Sequence, residues 1–224
     1  MTPELIVMLT NNDVTVPNAA EVFESCKDLP NRKWGFKDVG LPKEEMTALA
    51  KAMKEAGKET FIEVVTYTEA GCLEGAKMAV DCGFDYLTGT IPFPSVFAFA
   101  KEYGLKYFPF CGKVGGSPVT LTGTMEEIVA SAKSCIDQGA SGVDLTSYRY
   151  TDGDPVELTK AVVEAVGGDR VCIAGSIGNT KRMDAMKEAG VAEYTMGSAL
   201  FNANFVKDGT FRENLEFVLD YLKK

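Results

Sequence analysis

Residues 171–200 read VCIAGSIGNTKRMDAMKEAGVAEYTMGSAL. Two short apolar runs, Val171–Ala174 and Tyr194–Met196, each give way to a glycine–serine turn, Gly175-Ser176 after the first and Gly197-Ser198 after the second. Between them a segment of helical period stops at Ala189-Gly190, where glycine can take the left-handed conformation that closes a helix. Apolar run, small-residue turn, helix and apolar run together describe a strand, its crossover and a parallel neighbour. Parallel strands are joined by a crossover and are covered on both faces, so they read as nearly continuous apolar runs.

The same unit recurs towards the N-terminus. Strand candidates are Leu5–Leu9, Trp34–Lys37, Thr60–Val65, Tyr86–Gly89, Tyr107–Cys111 and Gly142–Thr146, which with the two above make eight. Helix ends are marked at Ala56-Gly57, Cys82-Gly83, Tyr103-Gly104 and Gln138-Gly139. Helix starts are marked by Asp154-Pro155, by a capping box from Thr124 to Glu127, and by Leu41-Pro42. Eight alternating units predict an α/β chain folded as a single (β/α)8 TIM barrel over residues 1–224. An open doubly wound sheet would be announced by a glycine-rich phosphate loop after an early strand, and none follows Leu9.

Composition narrows the function. Thirty-two acidic against 23 basic residues give a formal charge of −9, a field that repels nucleic acid and anionic membranes, so neither is expected as a partner. No charged leader precedes a long apolar stretch, which points to the cytoplasm. The cysteines at 26, 72, 82, 111, 135 and 172 are scattered without CxxC pairs and read as reduced thiols. No metal-ligand spacing or cofactor motif is present, and histidine is absent altogether. Proton transfer must then fall to Asp, Glu, Lys, Cys or Tyr.

In a barrel of this kind the ligand site lies at the C-terminal ends of the strands. Those ends are polar: Thr10-Asn11-Asn12-Asp13 after the first, Lys37-Asp38 at the second, Glu63 within the third, and Cys111-Gly112-Lys113 at the fifth. The sixth carries Asp144 and Thr146 on one face by the two-residue alternation and continues into Tyr148-Arg149. Glu63 lies between Ile62 and Val64 and is expected to face the interior, where it needs a cation. Lys37 on the neighbouring strand is the first candidate and Lys113 the second. Lys37, Glu63 and Asp144 are candidate catalytic residues, with a purely structural buried ionic network as the alternative.

Small residues at Gly175-Ser176-Ile177-Gly178 and Gly197-Ser198-Ala199 let backbone N–H groups approach an anion, and on the last two strands they form one phosphate cup. The pair Ile173–Gly178 and Thr195–Leu200 resembles the cup of the ribulose-phosphate-binding barrels, which include sugar-phosphate epimerases and the isomerases of histidine and tryptophan biosynthesis. The resemblance covers the last quarter of the chain in motif and implies that Gly175, Ser176, Gly197 and Ser198 bind phosphate. The members that isomerise aminoaldose phosphates resemble one another in an acid or thiol at the end of strand one, for which the resemblance offers Asp13, and an aspartate across the barrel, for which it offers Asp144. The metal-dependent pentose-phosphate epimerases are a poorer match, because their site uses histidines.

The expected function is a metal-independent isomerase or epimerase of a small phosphorylated sugar or sugar-derived metabolite, with Asp144 and Glu63 exchanging protons and Lys37 or Lys113 steadying the oxyanion. Two alternatives stand beside it. One is a Schiff-base aldolase or lyase on a phosphorylated keto compound using Lys37. The other is a non-catalytic barrel that only binds a phosphometabolite. Cys111 reads as a small strand-end filler rather than a nucleophile. Phe93, Phe97, Phe99, Tyr107, Phe108 and Phe110 are expected to be mostly core, with an exposed subset available to a homodimer interface.

Overall fold

A computed structural model describes residues 2–223. Eight parallel strands form the barrel: β1 Glu4–Met8, β2 Lys33–Lys37, β3 Glu59–Val64, β4 Tyr86–Gly89, β5 Lys106–Phe108, β6 Val143–Leu145, β7 Val171–Ile173 and β8 Glu193–Met196. Their order is β6-β7-β8-β1-β2-β3-β4-β5. Past the end of β5, a parallel bridge between Phe110 and Asp144, with Asp144 N donating to Pro109 O at 2.8 Å, closes the ring against β6. The helices that cross between strands are α1 Ala19–Cys26, α2 Lys43–Glu55, α3 Glu69–Asp81, α4 Pro94–Tyr103, α5 Met125–Asp137, α6 Pro155–Val166 and α7 Thr180–Ala189. After β8 come a one-turn helix, α8 Ser198–Phe201, and α9 Phe211–Leu222.

Local chemistry sets these boundaries as expected. Asp154 caps α6 through Val156 N and Glu157 N with Pro155 in the first turn, and Thr124 and Glu127 close a reciprocal capping box on α5. Such caps each contribute about 1 kcal/mol. Gly104 and Gly190 close α4 and α7 in the left-handed conformation, where a side chain would be strained. Leu41-Pro42 differs slightly, since Pro42 is the cap residue and the helix starts at Lys43.

Alternation along the strands makes two cores. Outward residues such as Val7, Trp34, Ile62, Leu87 and Ile173 pack under the helices, while Ile6, Met8, Phe61, Tyr86, Phe108 and Cys172 form a separate cluster inside the ring. Phe61 and Tyr86 stack there at 4.0 Å. Below this layer Lys33 bridges Glu193 at 2.5 Å and Glu4 at 2.6 Å. Above it lie Lys37, Glu63, Thr88, Asp144 and Thr146, so the apolar plug separates a charged floor from a polar mouth. All six cysteines are buried free thiols, Cys111 among them. Phe97, Tyr107, Phe108 and Phe110 are buried, and Phe93 and Phe99 are half-buried against the core, so the group is mostly core as expected.

The fifth strand is shorter than expected. It stops at Phe108, Pro109 withdraws a donor, and Gly112 at φ 80 turns the chain into a hairpin, Lys113–Gly115 paired with Thr120–Thr122. A second small hairpin pairs Thr10–Asn11 with Val14–Thr15 above β1. Among the described residues no helix is long and apolar enough to cross a membrane.

Candidate active site

At the C-terminal mouth of the barrel lies a cavity of about 460 Å³, bordered by Lys37, Glu63, Asp13, Thr146, Arg149 and the turns after β7 and β8. Register alone brings the first pair together: Lys37 on β2 is the direct partner of Glu63 on β3, and their side chains meet at 3.5 Å. Asp13 arrives by a different route. Asn12 and Asp13 both adopt left-handed conformations, φ 51 and 62, at the tip of the first hairpin. Thr15 Oγ1 fastens that hairpin to the end of β2 by accepting from Lys37 N at 2.9 Å and donating to Lys37 O at 2.8 Å. Asp13 Oδ1 is thereby set 2.9 Å from Lys37 Nζ.

Lys37 is thus a buried ammonium, its side chain only 8% exposed, flanked by two carboxylates. Burial alone would lower its pKa, but the charges of Glu63 and Asp13 and the hydrogen bond to Asp13 more than offset that and hold it above the ordinary value. For Asp13, burial pushes upward, and the hydrogen bond from Lys37 with the charges of Lys37 and Arg149 brings it below the usual carboxylate range. Asp38, next in sequence, is raised to about 6 by burial, with Glu63 adding to the effect.

Asp144 does face inward, but it lies beneath the cavity rather than on its wall. Burial, reinforced by the charge of Glu63, drives its pKa well above the ordinary carboxylate range and favours the neutral acid. Lys113 corrects the expectation more sharply. Because β5 ends early, Lys113 starts the hairpin on the exposed surface and does not border the cavity.

Arg149, rather than Lys113, is the second cation bordering the mouth. A single turn of tight helix, Ser147–Arg149, follows Thr146 and swings this side chain back over the mouth. There Nη2 lies 3.4 Å from Asp13 Oδ1. The same guanidinium covers Gly175 so closely that a Cβ at that glycine would come within 3.3 Å of it. Arg149 therefore touches both the Lys37–carboxylate cluster and the turn after β7. The sequence signal was its position at a polar strand end, but the turn that aims it is not readable from spacing.

The cup itself is built from constrained backbone. Gly175 and Ser176 are both left-handed, φ 75 and 62, and Gly175 N is fixed by donating to Thr195 Oγ1 at 3.0 Å. Gly197 packs against β1 so tightly that a Cβ would lie 2.5 Å from Thr10 O and 2.9 Å from Met8 O. Ser198 Oγ accepts from Asn12 N at 3.1 Å, tying the cup to the hairpin that carries Asp13. Arg182, in the first turn of α7, donates to Ser176 O and stacks on the Tyr148 ring at 4.4 Å, adding a cation at the rim. Small residues, exposed turn amides and two arginines make this end of the cavity suited to an anion.

No protein-family model matches the sequence, and no curated protein matches it. Solved structures do. The chain is similar to the native KDPGal structure at 15% identity, covering 100% of this chain and 98% of that one with a TM-score of 0.66. It is similar to the tryptophan synthase α-subunit from Pyrococcus furiosus at 13% identity, covering 99% and 96% with a TM-score of 0.65. It is also similar to N-acetylmannosamine-6-phosphate 2-epimerase from Clostridium perfringens at 11% identity, covering 88% and 86% with a TM-score of 0.64. The fold is the TIM barrel. At these identities the likeness carries the architecture and leaves the chemistry to the site's own residues.

Proposed function

We propose that the chain is an isomerase or epimerase that moves a proton beside the carbonyl of a small phosphorylated sugar or sugar-derived metabolite. The observation that supports this most is one cavity holding Lys37 between Asp13 and Glu63 at one end and the glycine–serine cup at the other. Gly175, Ser176, Gly197 and Ser198, with Arg149 as countercharge, bind the phosphate and so fix the reacting carbons relative to the carboxylates. In this reading Glu63, which borders the cavity beside the Lys37 ammonium, is the base, and Asp144, beneath the cavity, is not. Glu63 takes the proton from carbon, the electron pair shifts onto the carbonyl oxygen, and the Lys37 ammonium stabilises that oxyanion. Return of the proton to the former carbonyl carbon, with the enediolate's hydroxyl proton passing to the former carbonyl oxygen, isomerises, and return of a proton to the original carbon from its opposite face epimerises, while Asp13 holds the Lys37 ammonium in position.

The Schiff-base alternative needs Lys37 as a free amine, whereas two carboxylates hold it protonated, so it draws less support. Borohydride trapping that left Lys37 unmodified would remove it. The binding-only alternative predicts a ligand without turnover. Incubating the protein in D2O with a panel of three- to six-carbon ketose and aldose phosphates and following C–H signals by NMR tests the proposal. Exchange beside the carbonyl is expected for at least one member, falling about 100-fold or more in Glu63→Gln. Binding without exchange across the panel would leave the binding-only alternative in its place.

A further inference from the structure

Five buried side-chain polar atoms lack a hydrogen-bond partner among the described residues: Asn11 Oδ1, Asp144 Oδ1, Thr146 Oγ1, Ser147 Oγ and Tyr194 Oη. A buried hydroxyl without a partner is destabilising, so folded chains rarely keep one without use for it. Three of the five fall within residues 144–147, at and just beyond the end of β6, and of the five only Thr146 borders the cavity. Its residue is 3% exposed, and its position two residues beyond Asp144 puts it on the inward face of that strand.

The other groups on the wall near it are already committed. Lys37 is engaged by Asp13 and Glu63, Arg149 by Asp13, and Thr195 Oγ1 by Gly175 N. The charged groups among them are also one-directional: an ammonium or guanidinium only donates and an ionised carboxylate only accepts, whereas the Thr146 hydroxyl does both. A reaction that interconverts a carbonyl and a hydroxyl, or passes through an enediol, presents first an acceptor and then a donor to the same protein atom.

From this we infer that Thr146 is a specificity-determining residue whose hydroxyl binds an oxygen substituent on an inner carbon of the ligand, selecting polyhydroxylated phosphates over phosphates of plain alkyl chains. The inference rests on the phosphate reading above, because anchoring at the cup is what lays the rest of the ligand across Thr146. Loss of this contact leaves the hydroxyl unsatisfied again, so an alkyl chain gains nothing from the site.

Calorimetric titration with inorganic phosphate, pentyl phosphate and ribitol 5-phosphate tests it, using the wild type, Thr146→Val and Thr146→Ser. The wild type is expected to prefer ribitol 5-phosphate to pentyl phosphate. Thr146→Val should weaken ribitol 5-phosphate about five- to tenfold, as for one neutral hydrogen bond, and leave the other two ligands within about twofold. Thr146→Ser should restore the preference. The thermal midpoint of Thr146→Val should equal or exceed that of the wild type, because an unpartnered buried hydroxyl is replaced by a methyl of the same shape. An unchanged preference in Thr146→Val, or equal loss of all three ligands, overturns the inference while the phosphate reading stands. Failure of the wild type to bind inorganic phosphate overturns the phosphate reading itself, and the inference with it.

Discussion

Burial in the folded barrel favours the neutral form of Asp144, and this has a measurable sign. The unfolded chain ionises it near its ordinary value of 3.8, whereas burial and the charge of Glu63 keep it protonated far above that in the fold. Its contribution to stability is therefore complete below pH 3.8 and is lost as pH rises towards the folded value. Asp144→Asn, which imitates the neutral acid and has no proton to lose, should match the wild type near pH 3.5 and become progressively more stable as pH rises. Thermal melts should show a gap growing by about 2–4 °C for each kcal/mol recovered. A wild type more stable than the variant at pH 8 would contradict the assignment. The Lys37–Glu63 pair was legible in the sequence because strand neighbours meet by register. Asp13 and Arg149 were not placed by it, because a left-handed turn and a tight helical turn aim them, and neither follows from residue periodicity.

The hairpin from Lys113 to Thr122 is the element that the sequence concealed, since its strands are three residues each and carry no long alternation. Its base is well fastened: Thr151 N donates to Leu121 O at 3.0 Å, and Tyr150 Oη donates to Gly123 O at 2.9 Å. Its tip is tied to the barrel by Tyr67 Oη, which donates to Gly116 O at 2.7 Å, while Val119 reaches the cavity. Tyr67→Phe should loosen the tip and leave the base intact. Hydrogen exchange should then accelerate for amides between 114 and 119 with the barrel strands unchanged, and equal protection in the variant would show that the tether is unimportant. The eight barrel strands, by contrast, were found within two residues of their ends except at β5. Pro109 and Gly112 carried the signal for its early stop, but the apolar run through Cys111 masked them.

For the molecule as a whole, closure was the step that eight repeats implied and only three-dimensional contact could show, at the seam between Phe110 and Asp144. The ring has a charged floor around Lys33, an apolar plug around Phe61 and a polar mouth around Lys37, so charge is kept to the two ends while the middle is packed. The cup occupies one side of that mouth, and the proposed activity depends on its binding phosphate. A titration of the labelled protein with inorganic phosphate, followed by proton–nitrogen NMR, tests this directly. Saturable shifts should concentrate on the amides of Ser176, Ile177, Gly178, Ser198 and Ala199. Shifts confined to other surfaces, or none at those five positions at saturating phosphate, would contradict the account.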